Sequence, residues 1–215
     1  RESLQCVQCE LNNRMRAAIQ LMETLIPPSP HSRFYITEQC TPLYAALRQR
    51  YSQIVGSEFV ADGPMPDFGG AEAIRLEDVT ALSFDEGRFD YVLSFDVLEH
   101  VPKCHIALRE FARVLAPGGS LVLTAPFDPG RSKNLVRAQI TETGKLIHHT
   151  EPEYHGDPLR AEGCLSFYTF GWELLDQLRA AGFHEVRAIT YWSDQYKYFG
   201  RDQMLFLATT AKTNS

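Results

Sequence analysis

Two histidines in this chain are of a type that moves protons near neutral pH. His155 lies in the stretch EPEYHGDPL, Glu151 to Leu159, with Tyr154, Phe167 and Tyr168 close by in sequence. An imidazole among aromatic walls suits a pocket in which a substrate hydroxyl has to lose its proton, so His155 is the first candidate base and His100 the second. Four carboxylates, Glu38, Glu58, Asp78 and Asp96, close or follow short apolar runs, and such acids accept hydrogen bonds from the hydroxyl and amino groups of a ligand. No metal is expected: the adjacent His148 and His149 would point to opposite faces of a strand, and no acid completes a familiar ligand spacing with His155. Cys6 and Cys9, in CVQC, make half of a zinc ribbon whose complement would have to come from upstream sequence.

These groups must be held by something, and the chain supplies it as alternating short apolar runs and helical patterns. A leading helix over Glu10 to Ile26 carries Met15, Ala18, Ile19 and Met22 at helical spacing and stops at Pro27 and Pro28. Strands are then predicted at Phe34 to Glu38, Gln53 to Val60, Ala73 to Leu76, Tyr91 to Phe95 and Ser120 to Ala125. Thr41 followed by Pro42 gives one helix a capping hydroxyl and a proline at its first position. A second helix, His105 to Leu115, ends at Pro117, Gly118 and Gly119. After Pro126 the pattern gives way to a polar stretch in which Thr143 and Gly144 suit a hairpin turn, too long to be a mere connection. The chain closes with a helix over Phe170 to Ala181 and strands at Glu185 to Thr190 and Gln203 to Thr209, which must pair antiparallel since no helix separates them. Strands joined by crossover helices mean an α/β fold with a mostly parallel sheet.

The 215 residues suffice for one domain with one large core, and 44% hydrophobic with 22% charged residues excludes a disordered or fibrous chain. Twenty-seven acidic against 21 basic residues give a formal charge of -6, which disfavours polyanionic nucleic acid and anionic membrane surfaces as partners. Five cysteines, an odd number, point to a reducing compartment. With no apolar run of membrane-spanning length and no signal-like N-terminus, a cytoplasmic monomer or homodimer is expected.

The segment RFDYVLSFDVLEHVPK, Arg88 to Lys103, followed by a helix and then RVLAPGGSLVLTAPF, Arg113 to Phe127, resembles the fourth strand, next helix and fifth strand of the class I S-adenosylmethionine-dependent methyltransferases, in their small-molecule branch. The resemblance implies a Rossmann-like, doubly wound sheet of seven strands with an antiparallel last strand. Residues 1–32 would form a helical N-terminal segment, and residues 33–215 the methyltransferase domain with a substrate-side insertion at 127–168. It implies S-adenosylmethionine as cofactor, S-adenosylhomocysteine as product, and ligands at the carboxyl ends of the strands where the winding reverses. Glu38 would be the acid of the first cofactor motif, with Cys40 and Thr41 at the helix start that follows it. Glu58 would accept the ribose hydroxyls, with Phe59 as a wall for adenine. Asp78 would receive the adenine amino group, the Val79 N–H a ring nitrogen, and Phe95 and Asp96 would lie under the methionine and sulfonium.

The family's glycine-rich turn after the first acid is absent: the chain reads Glu38, Gln39, Cys40, Thr41, Pro42. The implied activity is transfer of a methyl group to O or N of a small polar metabolite or glycan precursor. The missing glycines motivate an alternative, a catalytically inactive cofactor-binding partner or regulatory domain. A nicotinamide-dependent oxidoreductase would need a G-x-G-x-x-G turn that is not present.

Overall fold

The computed structural model describes residues 5–60, 73–157, 160–200 and 203–212. The leading helix α1 (Asn13–Leu25) starts later than the periodicity suggests, because the Asn12 side chain accepts from the Met15 N–H and caps it. Strand β1 (Phe34–Ile36) is fully buried and passes to α2 (Pro42–Arg50), whose first turn is capped as expected: Thr41 Oγ1 accepts from the Tyr44 N–H at 3.2 Å. Then follow β2 (Ile54–Gly56), β3 (Phe89–Phe95), a short 3-10 turn at Leu98–His100, α3 (Cys104–Val114) and β4 (Leu115–Thr124). The long polar stretch holds β5 (Leu135–Val136), β6 (Ala138–Ile140), β7 (Leu146–His148), β8 (Tyr154–Asp157), β9 (Arg160–Leu165) and β10 (Tyr168–Thr169). Helix α4 (Glu173–Ala180) and strands β11 (Phe183–Thr190) and β12 (Met204–Thr210) complete the chain.

The main sheet runs β11-β12-β4-β3-β1-β2. Strands β2, β1, β3 and β4 are parallel, and β12 lies antiparallel to both β4 and β11. Among the described residues the sheet therefore has six strands, not seven. The segment expected as a strand at Ala73 to Leu76 makes only a parallel bridge from Leu76 to Glu58, beyond the β2 edge. Leu76 is 47% exposed and Ile74 only partly buried, so the described part of the segment buries little apolar surface to hold a longer ladder. The Glu58 backbone turns toward it, donating to the Arg75 carbonyl and accepting from the Glu77 N–H.

Alternation along the strands splits the core into two layers. Val92, Leu121, Leu123, Phe206 and Ala208 pack with Leu108, Phe111 and Val114 of α3 and Leu174 and Leu178 of α4. Leu93, Val122, Leu205 and Leu207 pack on the other face with Ala18, Ile19 and Met22 of α1 and Leu43 and Leu47 of α2. Helix α1 thus belongs to the sheet's packing. The insertion folds as three antiparallel pairs, β5 with β10, β6 with β7 and β8 with β9, and Gly144 at φ 79° sits in the β6–β7 turn where a hairpin was expected. Gly56 ends β2 for a steric reason: a Cβ there would lie 2.6 Å from the Glu38 carbonyl oxygen and 2.7 Å from the Tyr44 ring.

Candidate active site

Strand β1 lies between β2 and β3, and the winding reverses between β1 and β3, which opens a crevice at their carboxyl ends. Three acids meet there. Glu38, two residues past β1, is 8% exposed. Burial pushes its carboxyl up to about 7; a hydrogen bond from Thr41 opposes that shift, and the charges of Glu58 and Asp96 add to it. Glu58 Oε1 accepts from the N–H groups of Gln39, at 2.7 Å, and Cys40, at 2.6 Å. Gln39 is tied in turn to the bridge segment, its Oε1 accepting from the Arg75 N–H and its Nε2 donating to the Ala73 carbonyl. Side chains therefore organise the turn that lacks glycines. Burial, then Glu58, pushes the Cys40 thiol up to about 12, so it is a neutral, unreactive wall.

Beyond Glu58 lies an open cleft of about 180 Å³ lined by Phe59, Val60, Leu76, Glu77 and Asp78. Phe59 is 56% exposed, unusual for a phenylalanine. Asp78 is also exposed, its Oδ1 accepting from the Thr80 N–H and hydroxyl at 2.7 Å each. An apolar ring and a carboxylate across one cleft suit a flat base with an amino group. The Val79 side chain is buried in the core, next to Asp78 of the cleft lining.

At the β3 end, Phe95 is buried and Asp96 adopts the left-handed region at φ 52°, an uncommon backbone state for a residue other than glycine. Thr124 Oγ1 donates to Asp96 Oδ1 at 3.2 Å, and Arg14 Nη1 pairs with Asp96 Oδ2 at 2.9 Å. Phe95, Asp96 and Thr124, together with Asn12, Arg14 and Met15, line a space of about 10 Å³, room for one water. The start of α1 therefore closes over this end of the crevice. Nothing in the sequence pattern singles out Arg14, since its pairing with Asp96 is purely tertiary.

The insertion packs against the turn after β3. The Phe167 N–H donates to the Glu99 carbonyl, and the Tyr168 hydroxyl to the Pro102 carbonyl. This docking brings His100 and His155 together, their rings 5.0 Å apart and edge to face. Between them lies Glu99, fully buried, its Oε1 3.7 Å from His100 Nε2 and 3.4 Å from His155 Nδ1. His155 Nε2 also lies 3.1 Å from Glu153 Oε1. The Glu99 carboxylate, and after it that of Glu153, holds the His155 imidazole up, to about 9, against the opposing effect of burial. Of the expected aromatic walls, Phe167 is buried and Tyr168 stacks on Phe170, while Tyr154 is exposed. His148 and His149 are exposed. Sequence reasoning missed Glu99, whose only signal was its place between Leu98 and His100. At the N-terminus, the N–H groups of Gln8 and then Cys9 lower the Cys6 thiol.

Residues 43–123 match the family described as Methyltransferase domain. The chain is 29% identical over 123 residues to a Nocamycin O-methyltransferase of Saccharothrix syringae, covering 56% of this chain and 44% of that protein. It thus spans less than half the length of this curated relative. Two solved structures share the fold. One is CalS10 with bound S-adenosylmethionine, an amino pentose methyltransferase from Micromonospora echinaspora (TM-score 0.58, 19% identity, 92% of each chain covered). The other is the 1,6-didemethyltoxoflavin-N1-methyltransferase of Burkholderia thailandensis with bound 1,6-didemethyltoxoflavin and S-adenosylhomocysteine (TM-score 0.55, 16% identity, 93% of this chain and 79% of that one).

Proposed function

We propose that this chain is a class I S-adenosylmethionine-dependent methyltransferase that moves the methyl group of S-adenosylmethionine onto O or N of a small polar molecule, a metabolite or glycan precursor. The observation that carries the reading is the line of acceptors at the carboxyl ends of three neighbouring strands: Glu38 after β1, Glu58 after β2 and Asp96 after β3. A cofactor with an ammonium, a sulfonium, a ribose diol and an adenine amino group presents donors and positive charge to such a line.

The residues fit that cofactor. Glu58 spends Oε1 on its own turn, and among the described residues no N–H donates to Oε2, whose acceptor capacity suits a diol. Phe59 and Asp78 supply a face and an acceptor for adenine in the cleft of about 180 Å³. Glu38 and Asp96 bring negative charge toward the methionine end. When bound, the cofactor supplies an activated methyl and its own leaving group, so no protein nucleophile is required. The protein's part is to hold an acceptor atom in line at about 3 Å and to exclude water.

His155 and His100 meet where the insertion docks on the turn after β3, four residues beyond Asp96, and in this reading the acceptor enters from that side. His155, held up to about 9, carries a proton at neutral pH in this arrangement. It can anchor an anionic group as it stands, and it serves as a base only once that proton is displaced. A second reading, a cofactor-binding domain without turnover, is favoured by one observation: the turn of Gln39 and Cys40 is already satisfied by Glu58.

Calorimetry with S-adenosylhomocysteine, followed by methyl-transfer assays over hydroxyl- and amine-bearing metabolites, tests both readings. Micromolar binding with turnover of one acceptor class is the expected result. Binding without turnover on any class supports the second reading, and no binding at millimolar ligand removes both.

A further inference from the structure

We infer that Glu99, His100 and His155 form a binding site for one divalent transition-metal ion, with an O, N, N donor set of the kind zinc accepts. The atoms Glu99 Oε1, His100 Nε2 and His155 Nδ1 all lie within 4.8 Å of one another. Ligands about 2.0–2.1 Å from a tetrahedral zinc ion stand roughly 3.3–3.4 Å apart. The two separations to Glu99, 3.4 and 3.7 Å, are close to that spacing without any rearrangement.

The proton positions are set by outer partners. His100 Nδ1 lies 2.8 Å from the Leu165 carbonyl oxygen, which can only accept, so the proton sits on Nδ1 and Nε2 presents its lone pair inward. His155 Nε2 faces the Glu153 carboxylate at 3.1 Å, which keeps a proton on that nitrogen and turns Nδ1 inward, where a metal ion takes the place of the Nδ1 proton. Metal-bound histidines are oriented by such carbonyl and carboxylate partners on their remote nitrogen. The third donor is the most telling. Glu99 is 0% exposed, and its oxygens make no hydrogen bond of good geometry among the described residues; the ring nitrogens of His155 and His100 stand off at 3.4 and 3.7 Å. A buried carboxylate met by contacts this long is incompletely satisfied, and one cation between the three donor atoms satisfies all of them together. Three protein ligands leave a tetrahedral ion one open position for water or for an oxygen of a bound acceptor. His155, 28% exposed at its side chain, gives the ion a way in.

The spacing arises only in the fold. Glu99 and His100 are adjacent in a single 3-10 turn, and His155 arrives from β8 because the insertion docks on that turn. The inference stands apart from methyl transfer, because its readout is metal content and not turnover.

The protein is incubated with Zn²⁺, passed over a desalting column and analysed for metal, and a parallel sample with Co²⁺ is followed by absorption. The expected result is about one zinc per chain, with d–d bands for the cobalt form and no thiolate-to-metal charge-transfer band. Glu99→Gln should lose at least nine tenths of the bound metal. Because Glu99 is buried, His155→Gln on the exposed side provides a second variant that should lose it too, while His148→Ala keeps it. Absence of bound zinc in the wild type overturns the inference. So does retention by both variants, and so does a charge-transfer band abolished by Cys6→Ser, which would place the ion at Cys6 and Cys9.

Discussion

Glu38 offers a proton switch that can be read directly in cofactor binding. Its carboxyl is held up to about 7 by burial, with the charges of Glu58 and Asp96 adding to the shift, against an ordinary value of 4.5. At pH 7 about half of the molecules therefore carry a proton there, and at pH 6 about nine in ten do. The groups around it are the Thr41 hydroxyl from α2, Glu58 after β2 and Asp96 after β3, whose own partner is Arg14 of α1. A ligand bringing an ammonium and a sulfonium into this cluster favours the ionised form and expels the proton on binding. If the bound-state value returns to near 4.5, affinity for S-adenosylmethionine rises roughly tenfold between pH 6 and pH 8. Calorimetry in two buffers of different ionisation enthalpy should show close to one proton released per ligand at pH 6. The ligand's own amine also titrates in this range, so the decisive quantity is the difference from Glu38→Gln, which should show no such release.

The same group sets a stability trend with a definite sign. A carboxyl whose folded value lies above its unfolded value makes the folded state bind more protons, so stability falls as pH rises from about 4.5 to 7. The shift corresponds to at most about 3 kcal/mol at pH 8, and Glu38→Gln should recover part of it there while changing little at pH 4.5. Identical pH profiles for wild type and Glu38→Gln, in binding and in melting temperature, would refute the reasoning.

Three further outcomes are expected. Gly56→Ala places a Cβ 2.6 Å from the Glu38 carbonyl oxygen and should destabilise by about 1–3 kcal/mol in urea unfolding; wild-type stability would mean β2 and α2 separate freely. Phe59→Ala and Asp78→Ala, both at exposed side chains, should weaken S-adenosylhomocysteine binding by about 1–3 kcal/mol each with little change in melting temperature; unchanged affinity in both would put adenine elsewhere. Arg14→Ala removes a partly exposed pair that contributes under about 1 kcal/mol to stability. It also takes a positive charge away from the sulfonium end, so affinity should rise several-fold more for S-adenosylmethionine than for its uncharged-sulfur product. An equal change for both ligands would show that Arg14 does not face the sulfur.

What could be read from the chain alone was what depends on near neighbours in sequence. Thr41 and Pro42 announce the start of α2, and the alternation of Val92 and Leu93 or Val122 and Leu123 assigns each to one face of the sheet. The resemblance carried by Arg88 to Phe127 led to the reversal point and so to Glu38, Glu58 and Asp96. The stretch at Ala73 to Leu76 looked like a strand because Ile74 and Leu76 alternate with Arg75, but a strand also needs a face to bury, and Leu76 is 47% exposed. The insertion's paired strands were mostly illegible, being short and largely exposed, with only the Thr143–Gly144 turn marked in sequence. Glu99 and Arg14 were out of reach for a different reason. Glu99 becomes an enclosed carboxylate only when Leu165 and Phe167 fold back onto the turn that holds it, and Arg14 matters only because α1 reaches the end of β3.

A crystal structure of the chain with S-adenosylhomocysteine tests most directly whether the carboxyl ends of β1, β2 and β3 form the cofactor site. The expected density places adenine between Phe59 and Asp78, the ribose hydroxyls on Glu58 and the methionyl end against Glu38 and Asp96, with sulfur facing the insertion. Density anywhere else on the chain, or the ribose out of reach of Glu58, would contradict it.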